Sequence, residues 1–296
     1  MTELGGVLVA LATTFGDDGR LDEGRLREHV DHVIDQGVHG IVPCGSTGEF
    51  ATMSMDERKR VVEVVLDQVA GRVPVAPQTG TLATADAVEL TKHAADHGAA
   101  SALVVAPYYE TPSREEVIEY YGAIGDAVDM PLIAYNLPAV TGINMDLEFY
   151  RDLFTRTDAY KYVKDTSGNM EQAMSLIYNL GPDLKVFVGL DTIVLPAFAM
   201  GCAGTIWGAP NWAPSECVRL WEHVQAGRLP EAIADYKVMW NALDLIDREG
   251  YAVGTKTAAK LLGLDLGLTR PPFRPWSAET TAELDRRLEG LRQGRR

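Results

Sequence analysis

Along the chain, short apolar runs rich in valine alternate with longer segments whose apolar residues recur at helical spacing. The runs are "VLVALATTF", "GIVPCG", "VPVAPQTG", "ASALVVAPYY", "MPLIAYN", "YKYVKDTS", "LKVFVGL" and "GTIWGAP". Each of the first six leads into a stretch with the length and polarity of a helix, among them "TMSMDERKRVVEVVLDQVAG" and "SREEVIEYYGAIGDAV". Eight strands in βα alternation, spaced by roughly 25 to 30 residues, predict an α/β fold closed as a (β/α)8 TIM barrel. An open doubly wound sheet usually shows a glycine-rich phosphate fingerprint at its first strand-helix turn, and "ATTFGDDG" has none. From "AGRLPEAIADYKVMWNALDLIDREG" onward the pattern turns wholly helical. The chain is therefore expected to divide into a catalytic barrel over 1–225 and a C-terminal helical extension over 226–296.

Composition narrows the classes. At 296 residues, 46% hydrophobic and 23% charged, the chain is ordinary globular material able to bury a large core. No window approaches the ~18 consecutive apolar residues of a membrane span, and "GGVLVALATTF" reads as a first strand rather than a signal peptide. A formal charge of -15 argues against nucleic acid or an anionic membrane as partner, because both require clustered Lys and Arg. The basic tail "RRLEGLRQGRR" is read as a charged helix end. Cys44, Cys202 and Cys217 are too few and too scattered for a disulfide framework or a zinc site, and fit free thiols in a reducing cytosol. A cytoplasmic protein is expected.

In a barrel of this kind chemistry sits at the C-terminal ends of the strands. The polar residues stationed there are Thr13 and Thr14, then Ser46, Thr47 and Glu49, Tyr108 and Tyr109, Tyr135 and Asn136, Lys164 to Ser167, and finally Gly189 and Asp191. Lys164 stands out, since only eight lysines occur in the chain. Strand alternation puts Tyr162 and Lys164 on one face and Lys161 and Val163 on the other. An amine withdrawn from water holds its proton less firmly, which frees the lone pair for attack on a carbonyl. The structural alternative is an ion pair with Asp165 or another carboxylate. Tyr135 ends the adjacent strand, where a phenol can move a proton; a core tyrosine is the plainer reading. "GSTGE" offers backbone N–H groups and two hydroxyls in a tight turn, the makings of an anion cradle of carboxylate size. It lacks the Gly-Lys-Ser/Thr ending of a nucleotide loop, and it could equally be a plain βα turn. Cradle, amine and phenol together describe a site for an α-keto acid.

"GSTGE", "PYYETPS", "YNLPAVTG" and "VKDTSGN", in this order and spacing, resemble the N-acetylneuraminate lyase and dihydrodipicolinate synthase superfamily of pyruvate-dependent class I aldolases. The resemblance implies that Lys164 forms a Schiff base with pyruvate or a cleavable keto acid, and that Tyr135 is the general acid/base. It also implies that the segment of Ser46 and Thr47 binds the pyruvyl carboxylate. Tyr109 matches a tyrosine that completes the relay of a neighbouring subunit, and Gly189 and Ile206 match positions whose carbonyls line the pocket. A homotetramer, built as a dimer of dimers, goes with this family.

One departure bears on the substrate. Val140 stands where dihydrodipicolinate synthases carry an arginine that holds the carboxylate of the aldehyde. The pattern is closer to aldolases of 2-keto-3-deoxy sugar acids, with the lysine-biosynthetic synthase, a sialic acid lyase and a keto-deoxy acid dehydratase as alternatives. Partners are then a small keto acid and an aldehyde, with no cofactor and no metal beyond the covalent imine. A class II, metal-dependent aldolase is the enzymatic rival. Its candidate ligands are the pairs His29/His32 and His93/His97, which lie on expected outer helices and read as solvated helix surface. A keto-acid-binding sensor on the same barrel is the non-catalytic rival.

Overall fold

The computed structural model describes residues 3–181 and 184–294. Among them, seven strands form one parallel sheet: β1 (Gly6–Ala10), β2 (Gly40–Val42), β3 (Ala102–Val105), β4 (Leu132–Asn136), β5 (Tyr160–Asp165), β6 (Lys185–Val188) and β7 (Gly204–Trp207). Their order is β2-β1-β7-β6-β5-β4-β3. The remaining expected strand, "VPVAPQTG" at 73–80, fills the gap between the two edges, with Val75 bridged to Ile41 of β2 and Gln78 to Leu103 of β3. The Ala76 N–H reaches the Ile41 carbonyl at 2.9 Å, and the Leu103 N–H reaches the Pro77 carbonyl at 2.8 Å. Pro74 and Pro77 have no N–H to donate, so the pairing is reduced to isolated bridges instead of a continuous ladder. The eightfold barrel closes nonetheless, as the run pattern predicts.

Around it lie α1 (Glu23–Asp35), α2 (Met55–Val69), α3 (Thr84–Asp96), α4 (Arg114–Gly125), α5 (Pro138–Thr141), α6 (Leu147–Arg156), α7 (Met170–Asn179), α8 (Val194–Ala199) and α9 (Pro214–Gln225). Two of these starts are written locally. Ser54 with Glu57 and Ser113 with Glu116 form reciprocal capping boxes, each cap worth about 1 kcal/mol to its helix. Alternation along β5 follows the expectation: Tyr162 joins Leu8, Phe187 and Ile206 inside the barrel, while Val163 packs outward with the helices and Lys161 is exposed.

The helical C-terminal part runs through α10 (Leu229–Glu249), α11 (Tyr251–Leu261), α12 (Ala278–Arg287) and α13 (Glu289–Gly294). It is strapped to the loop after β2. Lys256 on α11 forms an ion pair with Glu49 at 2.6 Å, both side chains almost fully buried. The Arg270 N–H donates to the other Glu49 oxygen at 2.9 Å, and the Arg270 guanidinium pairs with Glu57 at 2.6 Å. Losing one partner of such a buried pair costs about 3–5 kcal/mol, so the extension and that loop hold each other in place.

Two sequence expectations about single residues meet different fates. The three cysteines are buried and none is in a disulfide among the described residues, and burial pushes the Cys44 and Cys202 thiols up to about 12. The solvated-surface reading fails for His29. Its ring is 1% exposed, with Nε2 2.9 Å from Asn211 Oδ1, and burial pushes its pKa down to about 4. α1 turns this side of its 3.6-residue period toward the barrel, where Asn211 supplies the polar partner that a buried imidazole requires.

Candidate active site

At the C-terminal ends of β4 and β5, Tyr135 and Lys164 are register partners, which brings two side chains 29 positions apart in sequence side by side. Both are buried, at 4% and 5% exposure, and Lys164 Nζ lies over the Tyr135 ring at 4.1 Å from its centroid. Asp165 points to the opposite side of β5, as alternation requires. Its oxygens accept from Asn136 Nδ2 at 2.7 Å, Ser167 Oγ at 2.7 Å and Gln172 Nε2 at 3.1 Å. The carboxylate offered by the sequence as a structural partner for Lys164 is thus engaged elsewhere.

Gly189 follows β6 and backs directly onto the lysine. A Cβ there would lie 2.2 Å from Thr166 Oγ1 and 2.4 Å from Lys164 Cε, so only a glycine leaves room for both. Thr166 Oγ1 is itself buried and has no hydrogen-bond partner among the described residues. A buried hydroxyl left unsatisfied beside an amine is a group waiting for a ligand.

The loop after β2 forms the opposite wall. Cys44 takes a left-handed turn at φ 60°, and Ser46 and Thr47 then face the cavity, the first exposed and the second buried. The N–H groups of Ser46, Thr47 and Gly48 make no backbone hydrogen bond among the described residues. Thr13 Oγ1 donates to the Gly48 carbonyl at 2.7 Å, and a Cβ on Gly48 would press on the Leu11 carbonyl at 2.9 Å. Adjacent free N–H groups with two hydroxyls suit a carboxylate. Glu49, the acid that closes the "GSTGE" motif, faces Lys256 and Arg270 and serves structure.

These walls enclose a cavity of about 260 Å³ that also includes Ile206 and, at its mouth, Val140 at 60% exposure. Tyr109 does not line it; that side chain is 73% exposed on the loop beyond β3. Thr166, one of the strand-end residues expected from the sequence, lines it as well, whereas two polar lining residues escaped the sequence reading, Asp247 and Tyr251. Asp247 and Tyr251 come from the end of α10 and the start of α11. The Tyr251 hydroxyl donates to Asp191 Oδ2 and accepts from the Gly208 N–H at 2.8 Å. Burial, opposed by this hydroxyl and reinforced by the nearby Asp247 charge, pushes the Asp191 carboxyl up to about 7. Burial also raises Asp247, with the Asp244 charge adding to it. Thr166 was legible in "VKDTSGN" as a polar strand-end residue, but nothing in the helical pattern around 247 and 251 points to a barrel cavity.

A model of the Dihydrodipicolinate synthetase family matches residues 3–291 of the chain. The chain is 39% identical over 279 residues to the 4-hydroxy-tetrahydrodipicolinate synthase of Pelobacter propionicus, covering 94% of this chain and 96% of that one. In structure it is similar to a putative dihydrodipicolinate synthetase from Pseudomonas aeruginosa, with TM-score 0.94, 32% identity and coverage of 98% and 100%. It is also similar to YagE of E. coli K12, a prophage protein of the dihydrodipicolinic acid synthase family in complex with pyruvate, with TM-score 0.93, 27% identity and coverage of 98% and 99%.

Proposed function

Because the chain belongs to the dihydrodipicolinate synthetase family of pyruvate-dependent lyases and aldolases, we propose that it is a class I aldolase that cleaves or forms a 2-keto-3-deoxy sugar acid through an imine on Lys164. The C1 carboxylate of the keto acid lies in the cradle of Ser46 and Thr47, which places C2 within reach of the amine. Lys164 adds to the C2 ketone, water leaves, and the resulting iminium draws electrons from C3. In the cleavage direction Tyr135 takes the C4 hydroxyl proton, the C3–C4 bond breaks and the aldehyde departs. The enamine left behind takes a proton at C3, and hydrolysis of the imine releases pyruvate and restores the amine. The iminium supplies the electron withdrawal for which a metal would otherwise serve, so the reaction calls on no metal. Ser46 and the exposed Tyr109, the latter acting in a neighbouring subunit of a homotetramer, complete the proton path to Tyr135.

The observation that carries the choice of substrate is the charge of the cavity wall. Among the described lining residues Lys164 is the sole cation, Val140 sits at the mouth, and Asp247 faces the same space. A second carboxylate at the far end of the substrate would meet no charged donor and one like charge, whereas hydroxyl groups find an acceptor in Asp247. The name of the Pelobacter relative favours a second reading, the synthase, whose aldehyde by the family resemblance carries a carboxylate and for which aspartate semialdehyde serves as the probe. One assay separates the two. Condensation of pyruvate is followed with glyceraldehyde and with aspartate semialdehyde, for the wild type and for Val140→Arg. The wild type is expected to prefer the hydroxylated aldehyde at least tenfold in kcat/KM, and Val140→Arg to shift that ratio toward the carboxylated one by about 10-fold or more, a charge-assisted bond's worth. Efficient use of aspartate semialdehyde by the wild type would overturn the sugar-acid assignment in favour of the synthase.

A further inference from the structure

At the other end of the barrel, the N-terminal rim, lies a second constellation that the aldolase reading leaves unused. Glu63 on α2 and His93 and His97 on and just after α3 bring one carboxylate oxygen and one ring nitrogen each to within 4.8 Å of one another. We infer that these three residues form a binding site for one divalent transition-metal ion of the zinc class, separate from the Lys164 cavity.

The geometry is close to that of a loaded site. His93 Nε2 is 3.1 Å from Glu63 Oε1, and two ligands bound to one zinc at ~2.0–2.1 Å in tetrahedral geometry stand roughly 3.3 Å apart. His97 Nδ1 donates to the His93 carbonyl at 2.8 Å, which fixes the tautomer that leaves Nε2 with its lone pair, the outer-shell arrangement that zinc-binding imidazoles use. The two rings lie 4.1 Å apart at 33°, on one face of the helix through their i,i+4 spacing. His97 is exposed and can swing through the remaining distance, while a water would take the fourth position. Two imidazoles, borderline donors, beside one carboxylate suit zinc, nickel or copper over magnesium or calcium.

Nearby positive charge does not forbid an ion. Arg60 donates to Glu63 Oε2 at 3.1 Å, leaving Oε1 for the metal, and is itself clamped by both Glu23 oxygens at 2.7 Å. Lys59 is paired with Glu89. The position also has a structural consequence. α2 and α3 are the helices on either side of the 73–80 segment, whose prolines leave the barrel closure with isolated bridges only. An ion shared by Glu63 on one helix and the two histidines of the next clamps the pair across that segment, so it is expected to raise stability without touching turnover.

The test uses full-length, tag-free protein stripped with chelator and titrated calorimetrically with zinc chloride. One saturable equivalent is expected, with a rise in Tm under saturating zinc and no change in the rate of pyruvate release. His93→Gln and His97→Ala are each expected to weaken binding about tenfold or more, and His32→Ala to leave it unchanged. Should either variant fold poorly, Cu(II) on the wild type gives a second readout, with hyperfine structure from two imidazole nitrogens expected in its electron paramagnetic resonance spectrum. Absence of saturable binding at millimolar zinc, a copper spectrum without two nitrogens, or equal affinity in His93→Gln, His97→Ala and wild type would each overturn the site.

Discussion

Position 189 sets a direct steric constraint on the reactive lysine. With 2.4 Å between a would-be Cβ and Lys164 Cε, Gly189→Ala must push the amine out of its place above Tyr135. Displacement of a reacting group by about 1 Å costs on the order of 10²-fold in rate, so borohydride-trapped adduct with pyruvate is expected to form about a hundredfold more slowly in this variant. Circular dichroism should be unchanged, and wild-type trapping kinetics would count against the crowding argument. At this scale the sequence was informative wherever a side chain sits at a strand end, because alternation and strand adjacency fix its direction. Lys164 and Tyr135 line the cavity for that reason, whereas Ile206 was expected there from the family resemblance and Thr47 reaches it from the loop after β2. Glu49 shows the limit: it follows the same turn by two residues, yet a left-handed φ of 58° turns it toward Lys256 instead.

Among the elements, local text determined where helices begin and tertiary context determined the rest. The capping boxes at Ser54 and Ser113 could be read from "SMDE" and "SREE". The run at 73–80 carried the apolar pattern of a strand, and its prolines convert that strand into a pair of bridges that still close the barrel. The helical extension gave no hint that α10 and α11 reach the cavity. Their periodicity reports a buried face without saying what covers it. In the fold, Tyr236 donates to the Asp191 carbonyl at 2.7 Å while Tyr251 holds its carboxylate and accepts from Gly208. Tyr251→Phe removes the hydroxyl and leaves a buried carboxyl and N–H short of a partner. A loss of about 1–3 kcal/mol in stability is expected from urea unfolding, together with a fall in kcat, since the residue lines the site. Unchanged values of both would show that the extension is only a support.

For the molecule as a whole, two buried groups oppose one another in acid. His29 protonates near 6.5 when exposed and near 4 when buried, so on lowering the pH the unfolded chain binds that proton first and stability falls between 6.5 and 4. Asp191 is shifted from 3.8 up to about 7, so the native chain binds its proton first and stability rises as pH drops from 7 to 4. Each contribution is of order 3 kcal/mol, and within this window the two largely cancel one another. Relative to the wild type, His29→Gln is therefore expected to gain stability on going from pH 7 to 4.5, and Asp191→Asn to lose it over the same interval, as read from denaturant midpoints. Parallel pH curves for the three proteins would refute the cancellation. The fold class was legible at this scale from eight apolar runs, because a closed parallel barrel imposes one repeated pattern on the chain. The division of labour between barrel and extension was not, since it depends on contacts between segments 60 residues apart in sequence, such as Asp191 with Tyr251. The central claim, covalent chemistry at Lys164, is tested most directly by incubating the protein with pyruvate, reducing with borohydride, and comparing intact mass and peptide maps of wild type and Lys164→Ala. A single pyruvyl adduct on Lys164, absent from the variant, is the expected result. An unmodified wild type, or an adduct that persists in Lys164→Ala, would contradict it.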